Sequence, residues 1–113
     1  MSLGAKIAAR RQHKRVCVIV PEWGEDGPLE LFAGALTCYD LDRIQKKHKD
    51  FLSSQSIEGM VDLIILKAEN GDGDRLFTLE DKPHLMREPL SVVTRVAAEM
   101  MGSVTSIEDH EKN

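Results

Sequence analysis

The sequence is poor in several features that would otherwise decide its class. It has two cysteines, Cys17 and Cys38, far apart and in no paired spacing. Two are too few for a disulfide scaffold and fit a reducing cytoplasm. With five aromatic residues (Trp23, Phe32, Tyr39, Phe51, Phe77) in 113, the core must be mostly aliphatic. No apolar run approaches the ~20 residues of a membrane helix. The opening Met1–Arg15 is basic but lacks the apolar stretch of a signal peptide. No G-x-x-x-x-G-K-[ST] and no G-x-G-x-x-G is present, so nucleotide phosphates have no evident cradle. What is present, 42% hydrophobic and 30% charged residues, suits one small soluble globular domain. A chain this short buries roughly 60–70% of its unfolded surface, so self-association would help its stability.

The net charge of −4 hides an asymmetry. Residues 1–15 hold Lys6, Arg10, Arg11, Lys14 and Arg15 and no acid, which is +5 and leaves −9 for the rest. A nucleic-acid domain carries its basic surface on the folded part. Residues 1–15 therefore read as a flexible or partner-ordered arm, residues 16–102 as the domain, and residues 103–113 as a loose polar tail.

Val16–Val20, β-branched and stopped by Pro21, predicts a strand. A turn over Glu22–Gly27 follows, and Leu29, Leu31 and Ala33 alternate with Glu30 and Phe32 as a second strand, making a β-hairpin. A lone hairpin is marginal in water, so helices should cover one face. Thr37, with Asp40 in the capping-box place, opens a helix whose stripe is Leu41, Ile44, His48 and Phe51/Leu52, and Ser53–Ser56 breaks the pattern. A second helix runs from Ser56 to a left-handed cap at Gly71. Its apolar arc (Ile57, Met60, Val61, Leu63, Ile64, Ile65, Leu66, Ala68) is wider than one stripe, so it is either central or faces a partner as well as its own core. A buried strand over Val61–Leu66 is the rival reading. Thr78 with Asp81 is a second cap, Pro83 keeps any helix there short, and a last helix opens at Pro89 and ends at Gly102.

Chemical motifs are scarce. Asn70-Gly71-Asp72-Gly73-Asp74 resembles a calcium loop, but Arg75 stands where the EF-hand glycine belongs and Asp81 where its glutamate belongs, so a turn is expected. His13, Cys17, Cys38, His48, His84 and His110 have no paired metal spacing, which suggests structural cysteines and surface histidines. Cys38 and His48 could in principle form a nucleophile pair, but no oxyanion site or orienting group is evident. No catalytic, cofactor or metal residue is expected. Lys46-Lys47-His48-Lys49 reads as a solvated helix face. Met60, Met100 and Met101 are either plain core or a soft binding surface, and Trp23 is either folded over the hairpin or a binding anchor.

Several stretches, in this order, carry a family resemblance. They are Met1-Ser2-Leu3 with Ile7, Val18-Ile19-Val20-Pro21-Glu22-Trp23-Gly24, Leu36-Thr37, Asn70–Asp74 followed by Arg75-Leu76-Phe77-Thr78-Leu79-Glu80-Asp81, and Glu88-Pro89. Together they resemble the tail assembly chaperones of long-tailed bacteriophages over nearly the whole chain. The resemblance implies a non-enzymatic assembly factor of the infected bacterial cytoplasm, absent from the finished virion. Such a factor binds and solubilises the tape-measure protein and helps recruit tail-tube subunits. It also implies a longer frameshifted product. Glu111-Lys112-Asn113 can be encoded with the slippery run A-AAA-AAC, which GAG at Glu111 or AAG at Lys112 would rule out. The expected fold is α+β, a hairpin packed against about three helices. The expected partner-binding residues are Trp23, Leu63, Leu66, Met100 and Met101. Two other readings stand beside it: a structural tail or head–tail connector subunit, and a small nucleic-acid-binding regulator using the basic arm.

Overall fold

Six residues of alternating character on each side of a glycine-containing turn build the sheet. The computed structural model describes residues 2–10, 15–51 and 56–102. Strands β1 (Arg15–Val20) and β2 (Leu29–Gly34) pair antiparallel, with Val16 opposite Ala33, Val18 opposite Leu31 and Val20 opposite Leu29. The two-residue period puts Val18, Val20, Leu31 and Ala33 on one buried face and leaves Cys17 and Ile19 exposed on the other. A 3-10 turn, Pro21–Trp23, leads off β1. Gly24 is required just after it, because a Cβ there would lie 1.6 Å from the carbonyl oxygen of Gly27.

Before the hairpin, Ser2 caps a short helix, α1 (Leu3–Ala9), which contributes no buried residue. After it comes α2 (Cys38–Lys47), opened by the expected capping box. Thr37 Oγ1 accepts from the Asp40 amide at 3.0 Å and Asp40 Oδ2 accepts from the Thr37 amide at 3.1 Å. The shorter Asp side chain closes the box, and Asp40 Oδ2 also takes Lys67 Nζ at 2.8 Å.

Helix α3 (Ile57–Lys67) starts at the Ser56 cap, as expected, and excludes the strand reading of Val61–Leu66. Its wide apolar arc has a simple cause: α3 is central. Val61, Ile64 and Ile65 join the main core with the hairpin and the last helix, while Leu63 meets Ile44 and Phe51 on the other side.

The expected cap at Gly71 is not formed. The helix stops at Lys67, Ala68 turns extended, and Glu69 exchanges both backbone hydrogen bonds with Phe32, at 2.8 and 2.9 Å. The open edge of β2 carries peptide groups that need partners, and this demand outweighs one more helical turn. Asn70–Asp74 is a turn, as expected, held by Asn70 Oδ1 accepting from the amides of Asp72 and Asp74 at 2.8 and 3.0 Å. Arg15 clamps its base: the guanidinium donates to Glu69 Oε1 and to the Asn70 and Gly71 carbonyls, and it lies over the Phe32 ring.

The Thr78–Asp81 cap forms on a 3-10 turn, Leu79–Asp81, which runs into the short α4 (Lys82–Leu85). Helix α5 (Leu90–Met100) follows, with Pro89 one place earlier than expected, at the N-cap. The architecture is α+β, a hairpin packed against helices, with α2, α3 and α5 the three longest among the described residues. Leu52, Ser53–Gln55, His13 and the 103–113 tail with His110 and Glu111–Asn113 lie outside the described residues.

Candidate interaction groove

Helix α2 and the segment 75–80 flank one side of α3 and leave a groove of about 690 Å³ between them. Its apolar lining is Ile44 from α2, Ile65 and Leu66 from α3, and Leu79 from the 3-10 turn. Leu79 is 70% exposed, yet the Thr78 cap holds its backbone in place. Arg43, Lys47, Arg75 and Glu80 contribute the charged lining, and Asp62 and His48 are also present.

Those last two belong to a network that ties three helices together. His48 Nε2 and Asp62 Oδ2 are 2.6 Å apart. Lys82 Nζ lies 3.0 Å from Asp62 Oδ1 and 2.6 Å from Glu58 Oε1, and Lys47 Nζ approaches Asp62 at 3.6 Å. Burial raises the Asp62 pKa, but hydrogen bonds from His48 and Lys82 with the nearby lysine charges outweigh it, so the carboxyl sits below its usual range. The hydrogen bond to Glu58 raises the Lys82 pKa above that of a free lysine. Ligand atoms of His48, Glu58 and Asp62 lie within 4.8 Å of one another, a spacing compatible with a metal. Lys82 is bonded to both carboxylates, so a protein ammonium already supplies the positive charge at this place.

His48 is thus not the surface histidine that was expected: its side chain is only 9% exposed and engaged by Asp62. The lysine run around it divides, with Lys46 in an exposed i, i+4 pair with Asp42 at 3.1 Å and Lys47 leaning toward Asp62. Cys38 and His48 stand at opposite ends of α2, about 15 Å apart along its axis, so they form no nucleophile pair. Both cysteines are free and exposed.

The five expected partner-binding residues do not form one surface. Leu63, 1% exposed, and Met100, 3% exposed, are sealed in the core, so the expectation that both are left over on the surface is corrected. For Leu63 the physical reason is the central position of α3, whose arc is covered on both sides, and for Met100 it is the packing of the end of α5 into the main core with the hairpin and α3. Leu63→Asp would therefore break the fold rather than map a contact. Leu66 and Met101 are partly buried beside the smaller cluster, and Leu66 lines the groove. Trp23 folds back against the Phe77 ring edge-on, at 5.9 Å between centroids, and its indole N–H donates to Glu88.

Sequence reading did not single out Arg43, Asp62, Arg75, Leu79 or Lys82. One signal was available for Asp62, a carboxylate standing alone inside an otherwise apolar stretch of α3. For Leu79 the signal was the cap around it, which presents a leucine outward on a fixed turn.

No protein-family model matches the sequence, and no curated protein matches it at significance. Among solved structures, the bacteriophage HK97 tail assembly chaperone superposes over 89% of this chain and 97% of its own, with a TM-score of 0.56 and 18% identity. The chain shares that chaperone's fold. At such low identity the likeness speaks for the arrangement of hairpin and helices, which spans nearly all of both chains. No helix among the described residues is long and apolar enough to cross a membrane.

Proposed function

We propose that this protein is a non-enzymatic tail assembly chaperone of a long-tailed bacteriophage. It works in the host cytoplasm, binds and solubilises the tape-measure protein, helps recruit tail-tube subunits, and is left behind when the virion is complete. The observation that carries this reading is the fold shared with the HK97 tail assembly chaperone across nearly the whole of both chains. The ordered Pro21-Glu22-Trp23-Gly24 and Leu76-Phe77-Thr78-x-Glu80-Asp81 elements support it independently. Their roles here are architectural: Gly24 permits the hairpin turn, and Thr78 with Asp81 fixes the turn beside the groove. Leu66 and Met101, partly accessible on the α2 side, are the contacts proposed for the client, with many modest interactions suiting a complex that must later be displaced.

Co-expression tests the reading. The tape-measure protein of the same genome should stay soluble and co-purify with this chain, while virions purified from the same phage should lack the chain. An insoluble tape-measure protein in the presence of this chain, or the chain at stoichiometric level in virions, would overturn the proposal, and the second result would favour the connector-subunit reading.

A further inference from the structure

We propose that the groove between α2, α3 and the 75–80 segment is a docking site for an amphipathic helix whose apolar stripe is flanked by acidic residues. The inference rests on the chaperone reading for the source of that helix, a tape-measure-like client, but its physical basis lies in the groove itself.

The floor asks for apolar groups. Half-buried Leu66 and the outward Leu79 supply its accessible apolar surface, with Ile44 and Ile65 sealed behind them, and the volume of about 690 Å³ accommodates a few large side chains. The polar groups beside them are already engaged by charge: Asp62 Oδ2 meets His48 Nε2, and Asp62 Oδ1, which accepts no well-aligned hydrogen bond, has the Lys82 ammonium 3.0 Å away as an ion pair. The edge asks for negative charge. Arg43 stacks over Tyr39 at 5.8 Å and Arg75 donates to the Ile65 carbonyl at 3.0 Å, and among the described residues neither meets a carboxylate. Lys47 also reaches the groove but leans on Asp62 at 3.6 Å, so Arg43 and Arg75 are the two cations that make its edge positive in a chain whose net charge is −4. The opposing acids are Asp62, already held by Lys82, and Glu80.

This sign selects the occupant. Helix α1 of a second copy offers exposed Leu3 and Ile7, but Lys6 and Arg10 accompany them, so it would bring like charge to the cationic edge. An apolar stripe with glutamates or aspartates beside it matches both the floor and the edge, in the helix-in-groove mode of recognition.

The test uses the full chain, nitrogen-15 labelled, titrated with a synthetic helical peptide of about five turns carrying a leucine stripe flanked by glutamates. The control is the same peptide with lysines in place of the glutamates. The glutamate peptide should shift amide signals of residues 43–48, 62–66 and 75–80 and saturate. The lysine peptide should bind at least about tenfold more weakly. Leu79→Asp and Arg43→Glu, both at exposed positions and checked for unchanged melting, should each weaken the glutamate peptide by about tenfold or more. Equal binding of the two peptides, shifts elsewhere on the chain, no saturating shift, or indifference to both variants would each overturn the proposal. The same two variants in the co-expression assay separate the two ideas. A soluble tape-measure protein with either variant removes the groove and leaves the chaperone role. Peptide binding in the groove without client solubilisation by the wild-type chain removes the chaperone role and leaves the groove.

Discussion

The two sides of α3 show what one helix can do with different neighbours. Toward the hairpin and α5 it presents Val61, Ile64 and Ile65 to a sealed aliphatic core with no buried polar group among the described residues. Toward α2 it presents Leu63 to a much smaller cluster, and beside it Asp62 joins His48, Lys82 and Lys47. The first side closes by burying apolar area, which is non-directional and tolerates many residue combinations. The second closes by directional ion pairs that fix α2 and α4 relative to α3 and leave a groove between them. The stabilising side and the accessible side are therefore separable by mutation.

The largest break in that contrast should come from the sealed side. Ile64→Ala is expected to lower unfolding free energy by about 2–5 kcal/mol, whereas Leu79→Ala in the groove should change it by less than about 0.5 kcal/mol. Urea titrations of the two variants measure the difference directly. Next is Gly59, where a Cβ would meet the Phe51 ring at 2.6 Å. Gly59→Ala should destabilise by about 1–3 kcal/mol through overpacking, although alanine is the better helix former. Combining it with Phe51→Leu should restore part of that loss, and strict additivity of the two changes would refute the steric account.

Comparable in size is the ionic side. Asp62→Ala leaves His48 without its carboxylate and Lys82 with Glu58 alone, and should destabilise by about 1–3 kcal/mol. Urea titration of the variant at neutral pH measures that loss. The smallest effect is the acid limb. The carboxyls of Asp62 and Asp40 are held below their usual range, and hydrogen bonds from Arg95 draw Glu22 down to about 2. Since these folded values lie below the unfolded ones of ~4, the stabilisation is complete above that pH and fades as pH falls toward 2. The urea midpoint should be flat from neutral pH to about 5 and decline below it. Glu22→Gln should remove only a minor part, because that pair is solvent-screened.

Much of this contrast was legible in the sequence, and the parts that were not have identifiable causes. The hairpin was readable because its alternation is strict, and the Thr37 and Thr78 caps because each needs only local atoms. The three long helices followed from apolar periodicity. Gly71 misled because a glycine after an apolar run looks like a helix stop, while the actual stop at Lys67 is set by Phe32, far away in the chain. Leu63 stood open between core and partner because an arc wider than one stripe has two physical solutions, and only the three-dimensional position of α3 chooses between them; Met100, on α5, stood open because a methionine at helical spacing suits a core and a soft surface equally. Apart from Leu66, the groove could not be read from the sequence, because Arg43, Arg75 and Leu79 come together from separate elements with no spacing rule linking them.

The bond pair between Phe32 and Glu69 also has a bearing on how copies of this chain can meet. A strand arriving from another molecule would find β2 interrupted midway along its outer margin, with no continuous ladder to extend. Templated sheet growth along that margin is thereby discouraged, and copies of the chain at high concentration are not drawn into a shared sheet there.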